Sequence, residues 1–120
     1  GAQLLGREWL GFDGVVTSIR FEAKPVFTNR HGTIQGGFLA AMLDSATGLG
    51  ALAALPATQT VVTKTLATRL LKPARAGPIT AKAKVVSQTG RDMIVEADLI
   101  DAENVTVATA TAELRILDKR

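Results

Sequence analysis

The sequence predicts an α+β fold, an antiparallel sheet closed around one long apolar helix. Three observations carry this. The run QGGFLAAMLDSATGLGALAAL, residues 35–55, holds a single ionisable residue, Asp44, and is too apolar to stand on a surface. After Pro56, four segments rich in β-branched residues succeed one another. The links between the last three are short, which makes those strands antiparallel neighbours.

Taken in order, residues 1–10 are expected to form a short helix, with Leu4, Leu5, Trp9 and Leu10 on one side, and Gly11 and Gly14 punctuate the chain after it. Residues 15–27 read as a strand or a pair of strands. Val15, Thr17, Ile19 and Phe21 alternate with Val16, Ser18, Arg20 and Glu22. Pro25 requires an edge or a bulge near the end. Residues 28–33 (TNRHGT) form a polar loop. The helix then runs over residues 36–55 and ends at Pro56, which cannot continue it. Gly48 and Gly50 each cost up to about 1 kcal/mol relative to Ala in a helix interior, so another backbone is expected to approach closely there. Strands come next at 59–71, 79–88, 93–101 and 105–117, separated by a Pro/Gly turn at 72–78 and short links at 89–92 and 102–104.

The 120 residues make one domain, 1–120, with 47% apolar residues for a core and 21% charged residues, which excludes a disordered chain. Cysteine is absent, so disulfides and thiolate metal sites are excluded, a reducing compartment is compatible, and a cytoplasmic location is expected. A lone histidine, His31, cannot build a multi-histidine zinc site, and no carboxylate cluster suits magnesium or calcium. No metal and no bound cofactor are expected. The net charge of +3 is spread over Lys64, Arg69, Lys72, Arg75, Lys82, Lys84 and Arg91, either as a solvated surface or as a small patch for an anionic ligand. Four Phe, one Trp and no Tyr give few stacking residues, which argues against nucleic acid. The N-terminus lacks the basic start and long apolar run of a signal peptide, and Gly1 in the initiator position is expected to be left by processing. Residues 38–55 are long enough to span a bilayer, but Asp44 there would cost roughly 2.5–3.5 kcal/mol and no Lys/Arg cluster flanks the segment. A buried helix away from membranes is expected.

Asp44 carries the chemistry. A carboxylate within so apolar a helix is costly unless something pairs with it or uses it. Gly36-Gly37 open the same helix, where N–H groups and the helix dipole favour a developing negative charge. Eight residues separate Gly36 from Asp44, roughly 12 Å along the axis, more than a carboxylate side chain covers. If both serve one site, they come from different chains. A two-fold axis that sets two such helices antiparallel would bring Asp44 of one beside Gly36 of the other, with Ala40, Ala41, Ala46 and Gly48 permitting close packing.

Asn29 and the run His31-Gly32-Thr33-Ile34-Gln35-Gly36-Gly37-Phe38-Leu39-Ala40-Ala41-Met42-Leu43-Asp44-Ser45-Ala46-Thr47-Gly48 resemble the signature of hotdog-fold acyl-CoA thioesterases. The group most similar is the PaaI-like, phenylacetate-pathway one, related to hydroxybenzoyl-CoA thioesterases. The resemblance covers the element order of essentially the whole chain and is poorly specific for substrate. It implies a hotdog fold, hydrolysis of an aryl- or fatty-acyl-CoA thioester, and a homodimer, with a dimer of dimers expected. It also implies roles. The Gly36 N–H polarises the thioester carbonyl. Asp44 from the partner acts as general base or nucleophile. Asn29 holds the carbonyl or water, and Thr63 positions the water or the acid. Gly37 and His31 are counted with the substrate-contacting residues, and Arg75 and Arg91 with those that meet the CoA pantetheine and phosphates. Relatives carry His-Gly-Gly where this chain has Gln35-Gly36-Gly37; glutamine still donates a hydrogen bond but does not titrate. Each residue also has a structural reading: Asp44 as an acid paired across an interface, Gly36-Gly37 as packing glycines, His31 as a loop hydrogen-bonder, Asn29 as a turn residue and Thr63 as a β-former. Two further functions stand beside hydrolysis: an acyl-thioester hydratase or dehydratase, and a non-catalytic acyl-CoA binding module.

Overall fold

Alternating apolar and polar residues can bury only one face of a strand, and this chain stacks five such strands against one helix. The computed structural model describes residues 6–120. Among these, the elements are β1 (Glu8–Phe12), β2 (Val16–Ala23), a one-turn 3-10 helix (Pro25–Phe27), α1 (Gly36–Ala53), β3 (Gln59–Leu70), β4 (Gly77–Thr89), β5 (Asp92–Ile100) and β6 (Thr106–Asp118). The six strands form one antiparallel sheet in the order β1-β2-β4-β5-β6-β3, and α1 packs across β2 to β6. This is the α+β arrangement expected from the sequence.

The inner sheet face is read directly from the period-2 pattern. Ile19, Phe21, Ile79, Val95, Leu99 and Leu114 are fully buried beneath Leu39, Met42, Leu43 and Ala46 of α1. Many inner positions are small: Ala81, Ala83, Ala97, Ala110 and Ala112 are all buried. They let the helix lie close to the sheet. At Gly50 a Cβ would stand 3.0 Å from the Ala83 Cβ and 3.6 Å from Val95 Cγ1, so this glycine answers a close helix–sheet approach. Replacing Gly50 with Val is expected to lower the unfolding free energy by about 1–3 kcal/mol through overpacking, read as a lower denaturant midpoint. Gly48, by contrast, has no atom within 4 Å of its would-be Cβ.

Two expectations need correction. The short helix over 1–10 is replaced by β1 from Glu8 onward, with Trp9 opposite Ile19 and Glu8 opposite Arg20; Leu4 and Leu5 lie outside the described residues. Pairing with β2 outweighs a weak local helical pattern that Gly6 and Gly11 interrupt (φ 62 and 146). In the second strand region the chain leaves the sheet at Ala23, and Pro25 opens the one-turn helix at a position that needs no N–H. That turn buries Phe27, whose ring stacks on Phe38 of α1 at 4.3 Å between centroids.

Helix α1 is long and apolar enough, by length and composition alone, to cross a membrane, but its Leu39-Met42-Leu43-Ala46 side is sealed against the sheet. Its other side is open. Gly37, Ala41, Asp44 and Leu52 are exposed, and Gly48 is half-buried. Strand β3 completes the frame: twelve residues long, it pairs with β6 on one side and ends the sheet on the other.

Candidate active site

An α-helix leaves its first N–H groups without intrahelical acceptors. Here Gln35 is the N-cap and makes no side-chain capping bond, and the first turn carries no acid. Among the described residues, no backbone or side-chain acceptor takes the N–H groups of Gly36 and Gly37. The positive end of the helix dipole is thus uncompensated, with Gly37 exposed and Gly36 half-buried. Gly36 is pressed from the other side by Leu70 of β3, whose Cδ1 would be 2.9 Å from an added Cβ.

The loop before the helix is braced by Asn29. Its Oδ1 accepts from the His31 N–H (2.9 Å), the Thr33 N–H (3.3 Å) and the Thr33 hydroxyl (3.2 Å). The backbone closes the same loop, with Asn29 N–H donating to the Thr33 carbonyl at 2.8 Å and Gly32 adopting φ 76. Asn29 therefore shapes the turn through its carbonyl oxygen, while its amide group bonds nothing among the described residues. Gln35 Nε2 lies 3.5 Å from the Thr28 carbonyl, and His31 Nε2 is 3.4 Å from Arg30 Nε, both on exposed groups. Arg75 bridges to Thr33 through its backbone and lays its guanidinium over Gly32, 3.6 Å from the place of a Cβ. Gln35, Gly36, Gly37, Asn29, His31 and Arg75 thus gather at one end of the helix.

Asp44 stands apart from this cluster. It is exposed in the chain rather than buried, which corrects the expectation drawn from its apolar surroundings. Because α1 is apolar and small-residued all round, its sequence does not tell which side meets the sheet. Asp44 falls on the open stripe with Gly37, Ala41 and Gly48, at helical spacings of three and four. Its Oδ1 lies 3.5 Å from the Thr63 hydroxyl of β3, so the structure does bring Asp44 and Thr63 together.

Arg91 is at the far end. It is held in a two-pronged pair with Asp118 (3.1 and 2.8 Å), and Asp118 faces Gln59 in the β3–β6 register. Gln59 and Leu70, which marks the Gly36 end, are eleven residues apart along β3, roughly 36 Å. The Asp118 carboxylate holds the Arg91 guanidinium above its ordinary value. Hydrogen bonds from Arg91 and then Gln59 hold the Asp118 carboxyl below the usual carboxylate range.

A cavity of about 480 Å³ opens on the outer sheet face, lined by Arg69, Lys82, Lys84, Glu96 and Asp98, and touches none of these site residues. A single chain holds the parts of the site separately rather than as a closed pocket. Sequence reasoning missed two neighbours of the site: Leu70 against Gly36, and Arg7, whose Nη1 donates to the Ser45 hydroxyl at 2.9 Å. Both are contacts between distant segments that no local pattern announces.

Known proteins share both this sequence pattern and this fold. The family described as "Thioesterase superfamily" matches residues 31–108. A Saccharolobus solfataricus protein named as an esterase is 33% identical over 94 residues, covering 78% of this chain and 66% of that one, so the match spans slightly less than two thirds of its length. The crystal structure of a phenylacetic acid degradation-related protein from Ralstonia eutropha JMP134 superposes with a TM-score of 0.90 at 30% identity, covering 95% of this chain and 87% of that one. A Bacillus halodurans protein solved with CoA superposes at 0.85 with 28% identity, covering 97% and 74%. The fold is therefore the hotdog fold anticipated above.

Proposed function

The chain belongs to the thioesterase superfamily, hydrolases of thioester bonds, and we propose that it hydrolyses an acyl-CoA thioester at a site shared by two chains. The observation that carries this reading is the open stripe of α1. Asp44 faces outward beside Gly37, Ala41 and Gly48, while the bare N–H groups lie roughly 12 Å away along the same helix. Antiparallel helices related by a two-fold axis level with Ala40 set each Asp44 beside the partner's Gly36. The small residues of the stripe let the axes approach to about 8 Å. The unpaired side of β3 supports the same assembly, since a long open edge strand is a template for pairing with another chain.

These placements support a hydrolytic mechanism. The thioester carbonyl sits at the start of one α1, where the Gly36 and Gly37 N–H groups and the dipole stabilise its developing negative charge. Such a donor is worth roughly 2.7–4 kcal/mol in other systems. Asp44 of the other chain removes the proton of the attacking water, or attacks the carbonyl itself. Thr63 orients the carboxylate. The tetrahedral adduct collapses by breaking the C–S bond, and the departing thiolate takes up the proton that Asp44 drew from water. In the nucleophilic route the thiolate takes its proton from water, and a water molecule then hydrolyses the acyl–Asp44 anhydride to free the acid. The free amide of Asn29, with Gln35 and His31, lines the entrance. Gln35 contributes a hydrogen bond and no titration.

CoA as the carrier is supported by the Bacillus halodurans relative. Arg75 is the cation beside the loop for its phosphates. Arg91, paired with Asp118 and roughly 36 Å along β3 from the Gly36 end, is given no part in holding CoA. We assign no metal or bound cofactor to the reaction. The working unit is a homodimer, expected to assemble as a dimer of dimers in the cytoplasm.

A panel of aryl- and fatty-acyl-CoA substrates tests the activity by thiol release. At least one class is expected to turn over with kcat/KM of about 10⁴ M⁻¹s⁻¹ or more. Hydration of a crotonyl-type thioester without thiol release would instead assign a hydratase. Saturable binding with neither reaction would assign a binding module.

A further inference from the structure

A β-strand shows every second residue to the same face, so one inserted residue exchanges the faces of everything beyond it. Strand β3 contains such an insertion. Thr63 pairs with Leu114 and Thr65 with Glu113, leaving Lys64 as the extra residue. On the N-terminal side, Val61 and Thr63 lie opposite the buried Ile116 and Leu114. On the C-terminal side, Leu66, Thr68 and Leu70 lie opposite the buried Ala112, Ala110 and Ala108. Both sets therefore face α1. Without the bulge, a strand that kept Leu66 and Leu70 inward would turn Lys64 toward the helix in place of Thr63. An ammonium group would then stand beside Asp44 and pair with it, where the present strand offers a neutral hydroxyl.

The bulge is fastened from the outer face. The Thr65 hydroxyl donates to Glu113 Oε1 at 2.8 Å, and Lys64 Nζ is drawn across to Asp92 Oδ1 at 3.1 Å. These bonds hold the extra residue, Lys64, and its successor, Thr65, away from the helix side. Exposed pairs of this kind contribute little to stability. Their consequence here is local: they decide which side chain of β3 meets the carboxylate.

We infer that the β-bulge at Lys64 is a positioning device for Asp44, and that Thr65 and Glu113, neither of which touches the reacting atoms, are positioning residues that act through Thr63. This rests on the reading of Asp44 as the proton acceptor or nucleophile. Bulges recur beside active sites because they re-aim a side chain, and small misplacements of reacting groups cost large factors in rate.

The test compares Thr65→Val, Glu113→Ala and Glu113→Gln in the full chain. Thr65→Val and Glu113→Ala are expected to lower kcat about tenfold with KM changed less than about twofold. Glu113→Gln, which keeps an acceptor oxygen, restores most of the rate. In a Thr63→Val background, Thr65→Val should produce no further loss, because the group it positions is gone. A lowered melting temperature with unchanged kcat, or losses that simply multiply in the double variant, overturns the inference. A crystal structure of Thr65→Val supplies a readout independent of turnover. The Thr63–Asp44 contact is expected to open, and its survival with the bulge intact also overturns the inference. Failure of the proposed function itself would look different: Asp44→Asn would then hydrolyse thioesters as well as the parent chain.

Discussion

Replacing Asp44 with Asn lowers thioester hydrolysis by about 10²–10⁴-fold while fold and oligomeric state persist. The substitution is close to isosteric. It keeps an oxygen for the Thr63 hydroxyl, 3.5 Å from Oδ1, and removes only the capacity to accept a proton or to attack as a carboxylate. The side chain is exposed within the chain and makes no ion pair among the described residues. No core contact is lost, so the melting temperature should move little and light scattering should report an unchanged assembly. If Asp44 merely braced an interface, the amide would serve nearly as well and turnover would stay near that of the parent. A large drop in kcat in a folded, assembled variant separates the two roles.

How far the sequence could be read depends on which contacts are local. The long helix, the four strands after it and their short links were legible because each is announced by its own residues. The alternation through Thr17, Ile19 and Phe21 gave the inner face of β2 directly, and all three are buried. The Gly36-Gly37 helix start was legible for the same reason. The features that escaped are non-local. The first ten residues carry a faint helical pattern, but β1 forms because β2 offers a partner. The exposure of Asp44 was hidden because a helix built of Ala, Gly and Leu has no polar side to mark the solvent face. Its hydrophobic pattern is compatible with burial on any side, and the sheet chose the side of Leu39, Met42 and Leu43. The bulge at Lys64 was invisible for a different reason. Threonine, lysine and threonine in succession fit a regular strand, and only the pairing of Thr63 with Leu114 and Thr65 with Glu113 exposes the extra residue. Arg91 stands among the CoA contacts only by the family resemblance. Its pairing with Asp118, twenty-seven residues on, could not be seen from the turn itself.

Mixing two inactive variants should restore activity, and this is the sharpest expectation of a shared site. Gly36→Pro removes the N–H proposed to hold the oxyanion and leaves the helix in place. Proline is well suited to the first helical position, and the preceding residue, Gln35, already has the extended backbone that proline demands (φ −61, ψ 139). The ring would press on Leu70 Cδ1, the far end of a flexible side chain that can turn aside. Alone, Gly36→Pro should lower kcat by about 10²–10³-fold, the usual loss for one oxyanion donor. Asp44→Asn alone is inactive for the reason given above. In a mixed dimer, one site receives both defects and the other receives neither, because Asp44 and Gly36 of each site come from different chains. Random reassortment after mild dissociation makes half of the dimers mixed, so the mixture should recover about a quarter of the parent activity. Were Asp44 and Gly36 of one chain to act together, every site would retain one defect and the mixture would stay as inactive as its components. The recovered fraction therefore measures which chain supplies each half of the chemistry.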